Sequence, residues 1–365
     1  MKSIDLLIVG AGPAGLMAGI AAGKHGANTL ILDRSHEPGG QLVKQTHMFF
    51  GSERQYAAYR GFEISDILLN KLKDLPNVTL SLNATVLGAY DDGVWTAYIG
   101  GVYTKIKPGA VVVATGANEK PLLFPGNDLP GVYGAGAVQT LMNQYGVKPA
   151  GRVVMLGAGN IGLIVSYQLL QAGVEVAAVV EGSPSIGGYL VHAAKLRRMG
   201  VPILTNHTIK YAEGSKDDPS QGLESVTIWE IDDKWNGILG TEQKIHADTL
   251  CVSVGLSPLS ELLWQVGCKM VFAPPLGGHV PFRSRLLETS VKGVFVAGDA
   301  AGVEEASSAM VEGELAGLGA VEHLGLALAD THLMKKECLA KLESLRAGPV
   351  GDHIKIGLQM AEGGY

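Results

Sequence analysis

The fold is decided by the stretch Gly10-Ala11-Gly12-Pro13-Ala14-Gly15 and by a second stretch of the same form, Gly157-Ala158-Gly159-Asn160-Ile161-Gly162. With 50 Gly among 365 residues, about one accidental match to three fixed glycines is expected, so the flanking sequence has to decide. An apolar run precedes each stretch, at 5–9 and at 152–156, and an apolar segment of helical length follows it. This order of strand, glycines and helix predicts two βαβ units, each with a dinucleotide-binding turn.

An acidic residue follows each glycine stretch at nearly the same distance. Asp33 lies 23 residues after Gly10 (33−10), and Glu181 lies 24 residues after Gly157 (181−157). A carboxylate there can accept hydrogen bonds from both hydroxyls of a ribose, while the N–H groups and dipole of the helix N-terminus attract a pyrophosphate. The glycines keep side chains out of that approach. The alternative is that they serve only close packing in βαβ units that bind nothing.

The composition limits the possible classes of protein. The 365 residues suffice for two or three domains, and 47% hydrophobic with 18% charged residues suits a compact protein with much buried sheet. A net charge of −6 with no long basic run argues against nucleic acid as a partner. The sequence contains no run of about 18 apolar residues, so a membrane span is not predicted. The apolar run 4–9 is too short for a secretory signal. We therefore expect a cytoplasmic protein.

The three cysteines, Cys251, Cys268 and Cys338, are far apart in the sequence. No Cys-x-x-Cys or other close pair exists, so neighbouring residues cannot form a redox dithiol. Three thiols are also too few for a four-thiolate iron–sulfur cluster within this chain. Ordinary buried thiols are the simpler interpretation, against a functional role for each of them.

Between the two glycine stretches the pattern changes from helix to strand. Residues 64–75 have helical spacing, 78–87 and 94–99 predict strands, and 110–114 is an apolar run that predicts a buried strand. The Pro- and Gly-rich segment 120–131 follows. It predicts a boundary between domains.

The second half of the chain predicts a return to the first domain. The apolar run 247–255 stops at a glycine as the earlier run 110–116 does, which suggests a strand that crosses back. The polar stretch 213–222 predicts an exposed hairpin loop, and 306–324 and 326–346 predict helices. We therefore expect four segments: 1–118 as the first part of one domain, 119–246 as an inserted domain, 247–325 as the second part of the first domain, and 326–365 as a C-terminal helical tail.

Elements in this order resemble the two-dinucleotide-domain flavoproteins of the pyridine nucleotide–disulfide oxidoreductase superfamily over nearly the whole chain. Besides the two fingerprints, the resemblance is carried by Ala114-Thr115-Gly116, Ala297-Gly298-Asp299 and Gly39-Gly40-Gln41. It implies an α/β fold of two Rossmann-like domains, each with three layers (ββα), in which the NAD domain is inserted into the FAD domain. It also implies FAD at the N-terminal fingerprint and NAD(H) at the second one.

The same resemblance implies which residues contact the two cofactors. FAD and NAD(H) carry the chemistry themselves, so neither a catalytic side chain nor a metal ligand is expected. Asp299 is expected at the ribityl and phosphate groups of FAD, and Gln41 near its ring. The residues expected to contact FAD are Gly10, Gly12, Pro13, Ala14, Gly15, Asp33, Arg34, Gly40, Gln41, Val86, Ala114, Thr115, Gly116, Gly298 and Asp299. Those expected to contact NAD(H) are Gly157, Gly159, Asn160, Ile161, Gly162, Glu181 and Gly255.

The chain departs from the disulfide reductases of that superfamily, because neither 41–50 nor 132–144 contains a cysteine pair. Reduction of a disulfide is therefore not expected. Phe124-Pro125-Gly126, Leu129-Pro130-Gly131-Val132 and Glu312-Gly313 carry a closer resemblance, to the α subunits of heteromeric amine and amino-acid dehydrogenases. Sarcosine oxidase α, opine oxidase A, hydrogen cyanide synthase B and dye-linked proline dehydrogenase α are of this type. This resemblance implies an oligomer with a partner subunit that carries a second flavin or an iron–sulfur centre.

The leading hypothesis is an FAD-dependent NAD(H) oxidoreductase that moves a hydride between nicotinamide and flavin and exchanges electrons with the redox centre of a partner. A stand-alone NADH oxidoreductase acting on a small acceptor, and a non-catalytic FAD-binding assembly subunit, are the alternatives. Glu181 favours NAD over NADP, since its carboxylate would lie roughly 4 Å from the 2′-phosphate of NADP at a cost of about 4 kcal/mol. No Arg within 182–188 offsets that repulsion.

Overall fold

The computed structural model describes residues 2–49, 52–215 and 222–362. The chain forms two compact units: unit 1 contains 1–118 and 256–365, and unit 2 contains 119–255. The strands are β1 (Lys2–Val9), β2 (Thr29–Leu32), β3 (Val78–Ser81), β4 (Ala84–Ala89), β5 (Trp95–Ile99), β6 (Val102–Val113), β7 (Ala117–Glu119), β8 (Val132–Gly134), β9 (Arg152–Leu156), β10 (Glu175–Glu181), β11 (Ile203–Thr205), β12 (His207–Gly214), β13 (Leu223–Glu230), β14 (Gln243–His246), β15 (Thr249–Val252), β16 (Leu256–Pro258), β17 (Met270–Ala273), β18 (Gly278–Pro281) and β19 (Val294–Val296). The α-helices are α1 (Pro13–Lys24), α2 (Gly61–Lys73), α3 (Ala135–Asn143), α4 (Asn160–Gln171), α5 (Leu190–Arg198), α6 (Glu261–Gln265), α7 (Ala306–His323), α8 (Thr331–Leu345) and α9 (Gly348–Ala361).

Unit 1 is built on a parallel sheet whose strand order is β3, β2, β1, β6, β19. The N-terminal half of the long strand β6 instead continues into an antiparallel meander with β5 and β4. Side chains of β1 alternate between two cores. Leu6 and Ile8 pack with α1, α2 and α7, whereas Leu7 and Val9 pack with the meander. Unit 1 therefore has a meander, a parallel sheet and a helical layer.

Unit 2 repeats the same three layers. Its parallel sheet has the order β11, β10, β9, β15, β8, and β12, β13 and β14 form the antiparallel meander. Along β9, Val153 and Met155 pack with α4 and α5, while Val154 and Leu156 pack with the meander. The α/β class with two Rossmann-like ββα domains, one inserted in the other, is thus confirmed.

The structure ends the inserted unit later than the sequence indicates. The sequence places the return to the first domain at 247, whereas 247–255 belongs to unit 2. The reason is strand pairing: β15 is a central strand of the second sheet, hydrogen-bonded in parallel to β9 on one side and β8 on the other. The chain returns to unit 1 only at β16.

Two other elements differ from their sequence prediction. The predicted strand 78–87 is two strands, because Asn83 between β3 and β4 adopts a left-handed φ of 49° that turns the chain from the parallel sheet into the meander. The predicted helix 326–346 begins only at Thr331, since the Leu326 N–H donates to Val321 O (2.8 Å) and so closes the end of α7. A further helix, α9, follows. Part of the predicted hairpin loop, 216–221, lies outside the described residues.

Each helix in the described part of the chain is too short or too polar to cross a bilayer.

Candidate dinucleotide sites

Four strands of unit 1 end at the same level of the parallel sheet. Val9 is in register with Leu32 and with Val113, and Val113 is in register with Val296. The residues that follow these strands are therefore neighbours at the carboxyl edge: Gly10, Asp33, Ala114 and the Ala297-Gly298-Asp299 segment. In open α/β sheets this edge is where ligands bind.

Unit 2 brings the corresponding residues together in the same way. Leu156 is in register with Val180 and with Val252. Gly157, Glu181 and Ser253 therefore follow side by side at the carboxyl edge of the second sheet. The two fingerprints thus lie at equivalent positions of two similar units.

The first and third glycines of each fingerprint are required by packing within the protein. A Cβ on Gly10 would overlap the carbonyl oxygen of Ala114, and one on Gly15 would overlap that of Gly10. In the second fingerprint, a Cβ on Gly157 would overlap the carbonyl oxygen of Ser253, and one on Gly162 would overlap that of Gly157. Gly10 and Gly157 also have a φ of 107°, in the region that L side chains avoid. A tight strand-to-helix turn explains these four glycines without a ligand.

The middle glycines have no such explanation. Among the described residues, a Cβ on Gly159 would meet nothing within 4 Å, and one on Gly12 would come no closer than 3.9 Å, to Cα of Gly40. Their φ angles of −73° and −74° are ordinary for any residue. Both glycines cap the N-termini of helices α4 and α1, where backbone N–H groups point away from the helix. The open space beside each glycine can therefore hold an anionic group in close contact with the backbone N–H groups at the start of the helix.

The two acidic residues occupy the same position in both units. Asp33 accepts hydrogen bonds from the N–H groups of Ala11 (2.6 Å) and Ser35 (2.7 Å). Glu181 accepts from Ala158 (2.7 Å) and Ser183 (2.9 Å). Each carboxylate joins its strand end to the glycine turn, and both side chains are only half-buried. They can still accept hydrogen bonds from a ribose.

A pair of glycines covers each fingerprint from the side. In unit 1 the Gly39 N–H donates to Ala11 O (2.8 Å), and a Cβ on Gly40 would lie 2.8 Å from Cα of Gly12. In unit 2 the Gly188 N–H donates to Ala158 O (2.9 Å), and a Cβ there would lie 2.8 Å from Asn160 N.

Sequence reasoning missed the second glycine pair. Its signal was present, because Gly187 follows Glu181 by six residues (187−181) just as Gly39 follows Asp33 (39−33).

Asp299 lies in a short 3₁₀ turn, Gly298–Ala300, that follows β19. The Gly298 N–H donates to Glu312 of α7 (2.9 Å), which fixes the turn against that helix. Asp299 itself accepts one long hydrogen bond, from Glu304 N (3.4 Å). Burial, together with the nearby carboxylates of Glu312 and Glu304, raises the pKa of Asp299 to about 7.

The remaining predicted FAD contacts lie in different surroundings. Pro13 and Ala14 form the first turn of α1, and Arg34 and Gln41 are exposed. Val86 lies in β4 of the meander and packs against its core. In the crossover that begins at Ala114, Thr115 donates its hydroxyl to Leu259 O (2.6 Å), and Gly116 O accepts from Leu259 N (2.9 Å).

The remaining predicted NAD(H) contacts surround the start of α4 and the end of unit 2. Asn160 uses its Oδ1 to accept a hydrogen bond from Tyr189 N (2.8 Å), and so orders the segment after the second glycine pair. Ile161 is exposed. Gly255, also exposed, accepts at its carbonyl from Lys120 N (3.0 Å) and has a φ of 111°.

One further residue of unit 2 lies beside the second fingerprint. Trp235 is 65% exposed and has a left-handed φ of 64°. Its ring packs on Gly182, directly after Glu181, where a Cβ would lie 2.9 Å from Cη2 of the indole. Sequence reasoning missed it; its only signal was a tryptophan within the turn-forming run Asp232-Asp233-Lys234-Trp235-Asn236.

The cysteines contribute no redox pair. All three are buried and outside any disulfide. Burial raises the pKa of Cys251 and of Cys338 to about 12, and that of Cys268 is also raised. Thiols in such surroundings are poor nucleophiles. Among the residues that the structure describes, no three His, Cys, Asp or Glu side chains are grouped as metal ligands.

The family model for the pyridine nucleotide-disulphide oxidoreductases matches residues 4–313. The chain belongs to this family. It is therefore an oxidoreductase, and its cofactors are FAD and a pyridine nucleotide. The family name includes a disulphide, but this member lacks the cysteine pair that a disulfide reductase would use.

Two relatives of this pyridine nucleotide-disulphide oxidoreductase are components of larger enzymes. The A component of opine oxidase from Agrobacterium tumefaciens (strain Ach5) is 30% identical over 350 residues, which cover 90% of this chain and 67% of that relative. The α component of sarcosine oxidase from Rhizobium meliloti (strain 1021) is 30% identical over 348 residues, which cover 91% of this chain and 32% of that relative. Both are named as enzyme subunits. The chain thus spans about two thirds of one relative and about a third of the other.

The crystal structure of T. acidophilum thioredoxin reductase has the same fold. It superposes with a TM-score of 0.72 at 21% identity and covers 88% of this chain and 99% of its own.

Proposed function

We propose that this chain is an FAD-dependent NAD(H) oxidoreductase and the electron-transfer subunit of a multi-subunit dehydrogenase. The observation that carries the proposal is the open space beside Gly12 and Gly159. Packing and backbone conformation account for the other fingerprint glycines, but no contact or backbone angle among the described residues requires glycine at these two positions. A phosphate in contact with the backbone at the start of α1 and α4 does require it.

Unit 1 holds FAD in this proposal. The first turn of α1 binds the pyrophosphate through backbone N–H groups, and Asp33 accepts hydrogen bonds from the ribose of the adenosine half. Asp299 accepts from hydroxyls of the ribityl chain. The segment from Gly40 to Gln41 covers the flavin ring and excludes water. Bound FAD supplies the flavin N5 that exchanges a hydride with nicotinamide C4, a reaction that depends on ring stacking more than on an acid or base.

Unit 2 holds NAD(H) in the same manner. The turn Gly157–Gly162 binds the pyrophosphate, and Glu181 accepts from the ribose. The position of this carboxylate favours NAD over NADP for the electrostatic reason given above, since its two hydrogen bonds to backbone N–H groups hold it beside the ribose position. Trp235 stacks on the adenine in this proposal, because its exposed ring packs on Gly182, the residue directly after Glu181.

Electrons on the reduced flavin have to pass to an acceptor, and the chain's own buried thiols form no disulfide that could accept them. We therefore propose a partner subunit with a second flavin or an iron–sulfur centre, in an oligomer located in the cytoplasm. Two relatives that are named as enzyme subunits support this part of the proposal.

An anaerobic titration with NADH tests the proposal. NADH should bleach the flavin band of the purified wild-type protein, and NADPH should do so only at much higher concentration. Gly159→Val should retain FAD but lose the bleaching by NADH, whereas Gly12→Val should lose FAD itself. Gly159→Ala is the control and should fold normally, since its Cβ would meet no atom of the described residues within 4 Å. A flavin that stays oxidised in excess NADH would contradict the enzymatic proposal and favour an assembly role.

A further inference from the structure

A cavity of about 240 Å³ lies within unit 1, and none of the predicted flavin contacts lines it. Its walls come from the segment between β18 and β19 and from helices α7, α8 and α9. An engineered cavity of about 150 Å³ suffices to bind benzene, so this space can accept a small organic molecule. Neither fingerprint contributes to it.

Arg283 is the most unusual residue of this cavity. Its backbone is fixed by a hydrogen bond from its N–H to Ala361 O (3.0 Å), and only 1% of the residue is exposed. Arg283 nevertheless lines the cavity, and the Nη1 of its buried guanidinium has no hydrogen-bond partner in the described protein. Since an arginine keeps its charge even when buried, an unsatisfied donor there is costly unless an acceptor enters from the cavity.

The buried carboxylate of Glu312, which also lines the cavity, is already engaged by other groups. Glu312 accepts at Oε1 from Arg346 Nη2 (2.5 Å) and at Oε2 from Gly298 N (2.9 Å). Arg346 also forms a two-point pair with Glu304, at 2.9 Å from Nε and 2.7 Å from Nη2. The network of Arg346, Glu304 and Glu312 therefore carries one net negative charge, which acts on Arg283 through space, while Nη1 of Arg283 has no hydrogen-bond partner in the described protein.

The remaining walls indicate the chemistry of a ligand. Four leucines line the cavity, Leu287, Leu339, Leu342 and Leu358, so one side suits an apolar group. The charged side chains of the lining leave a surplus of one positive charge, which a single negative charge balances and a multiply charged anion such as phosphate exceeds; four are basic, Arg283, Arg285, Arg346 and Lys355, and three are acidic, Glu312, Glu343 and Glu362. A single carboxylate matches both the guanidinium and this restriction, because it forms a charge-assisted hydrogen bond while adding one negative charge.

We propose that this cavity binds a small organic carboxylate, with its carboxylate on Arg283 and its apolar body against the leucines. The proposal does not depend on the flavin or NAD(H) sites.

Isothermal titration calorimetry of the whole, FAD-loaded chain with isovalerate tests the proposal. Wild-type protein should bind isovalerate saturably, and neither isoamyl alcohol, which has the same apolar body, nor inorganic phosphate should bind or compete. Arg283→Gln should weaken binding roughly tenfold or more, as expected for loss of a hydrogen bond to a charged group. Arg283→Lys should restore part of it. Arg54→Gln, at an exposed position, makes the same change of charge and should have no effect.

A second variant keeps the test valid if Arg283→Gln does not fold. Leu339→Phe enlarges a side chain of the apolar wall without touching the guanidinium, and it should also weaken isovalerate binding while the flavin content stays normal. Absence of saturable binding to the wild type, equal affinity in Arg283→Gln, or preferential binding of phosphate would each overturn the proposal.

Discussion

At the scale of a single residue, Asp299 has the most informative surroundings. It lies in the turn after β19, is only partly accessible, and has one long hydrogen bond of 3.4 Å from Glu304 N. Its pKa of about 7 means that ionisation in the folded chain is costly without a ligand. Hydroxyl groups that donate to the carboxylate would favour the charged form. The residue is thus suited to the ribityl contact that we propose for it.

The raised pKa of Asp299 predicts how the stability of the FAD-free protein depends on pH. A carboxyl whose pKa is higher in the folded than in the unfolded chain binds more protons when folded. Its contribution to stability is therefore full below about pH 4 and is lost as the pH rises through about 7. Asp299→Asn removes this loss, so the variant should melt several degrees above the wild type at pH 8 and much closer to it at pH 5.

Thermal unfolding of both FAD-free proteins between pH 5 and 8 provides the measurement. Asp66→Asn, on an exposed position of α2, is the matched control and should leave the pH dependence unchanged. If the melting curves of wild type and Asp299→Asn shift in parallel over this range, Asp299 does not cause the pH dependence.

At the scale of elements, the turn after β13 places the ring of Trp235 against Gly182. A chain of backbone bonds links it to the strand end: Asn206 N donates to Ser183 O (3.1 Å), and Ile231 N donates to Asn206 O (2.8 Å). Asp232 then accepts from the N–H groups of Lys234 (2.9 Å) and Asn236 (2.8 Å), and these bonds lower its pKa. The turn is therefore firmly placed beside Gly182.

Replacing Trp235 in this turn should weaken the binding only of nucleotides that contain adenine. Trp235→Ala should weaken NADH binding about fivefold or more, because stacking of a base on an aromatic ring contributes about 1–3 kcal/mol. Reduced nicotinamide mononucleotide, which lacks the adenosine half, should bind equally well to both proteins. Trp264→Ala, an exposed tryptophan of unit 1, serves as the control. An equal loss for both nucleotides would show that Trp235 acts on the fold of unit 2 and not on adenine.

The elements also show what the sequence could and could not predict. The fingerprint turns are local, so strand, glycines, helix and acid could be located from spacing alone, and the parallel sheets followed. β15 was assigned to the wrong unit because its apolar run looks the same in either sheet, and only its pairing with β9 decides. Trp235 and Arg283 were missed for the same reason. Their surroundings are made by segments distant in sequence: the turn-forming run around Trp235 predicts a turn but not its contact with Gly182, and no local pattern marks Arg283.

At the scale of the whole molecule, the two units are similar sheets with equivalent glycine turns, joined by two crossings of the chain at 118–119 and 255–256. In the function that we propose, the flavin takes up a hydride from NADH, and two electrons then have to pass to an acceptor. Its three thiols are buried, and burial raises the pKa of each. A two-electron relay through a dithiol is therefore not built into this chain.

The lack of a dithiol leads to a prediction about the isolated chain and its complex. Affinity purification of the tagged chain from its native host should recover a second polypeptide with its own flavin or iron–sulfur centre, and NADH should reduce that centre only when this chain is present. Gly159→Val should recover the same polypeptide, since the substitution changes only the fingerprint turn at the start of α4, yet NADH should no longer reduce it. Stopped-flow absorbance of the two complexes measures the difference. A monomeric chain that turns over NADH with a small substrate at full rate would instead identify a stand-alone enzyme, because the flavin would then discharge its electrons without a partner.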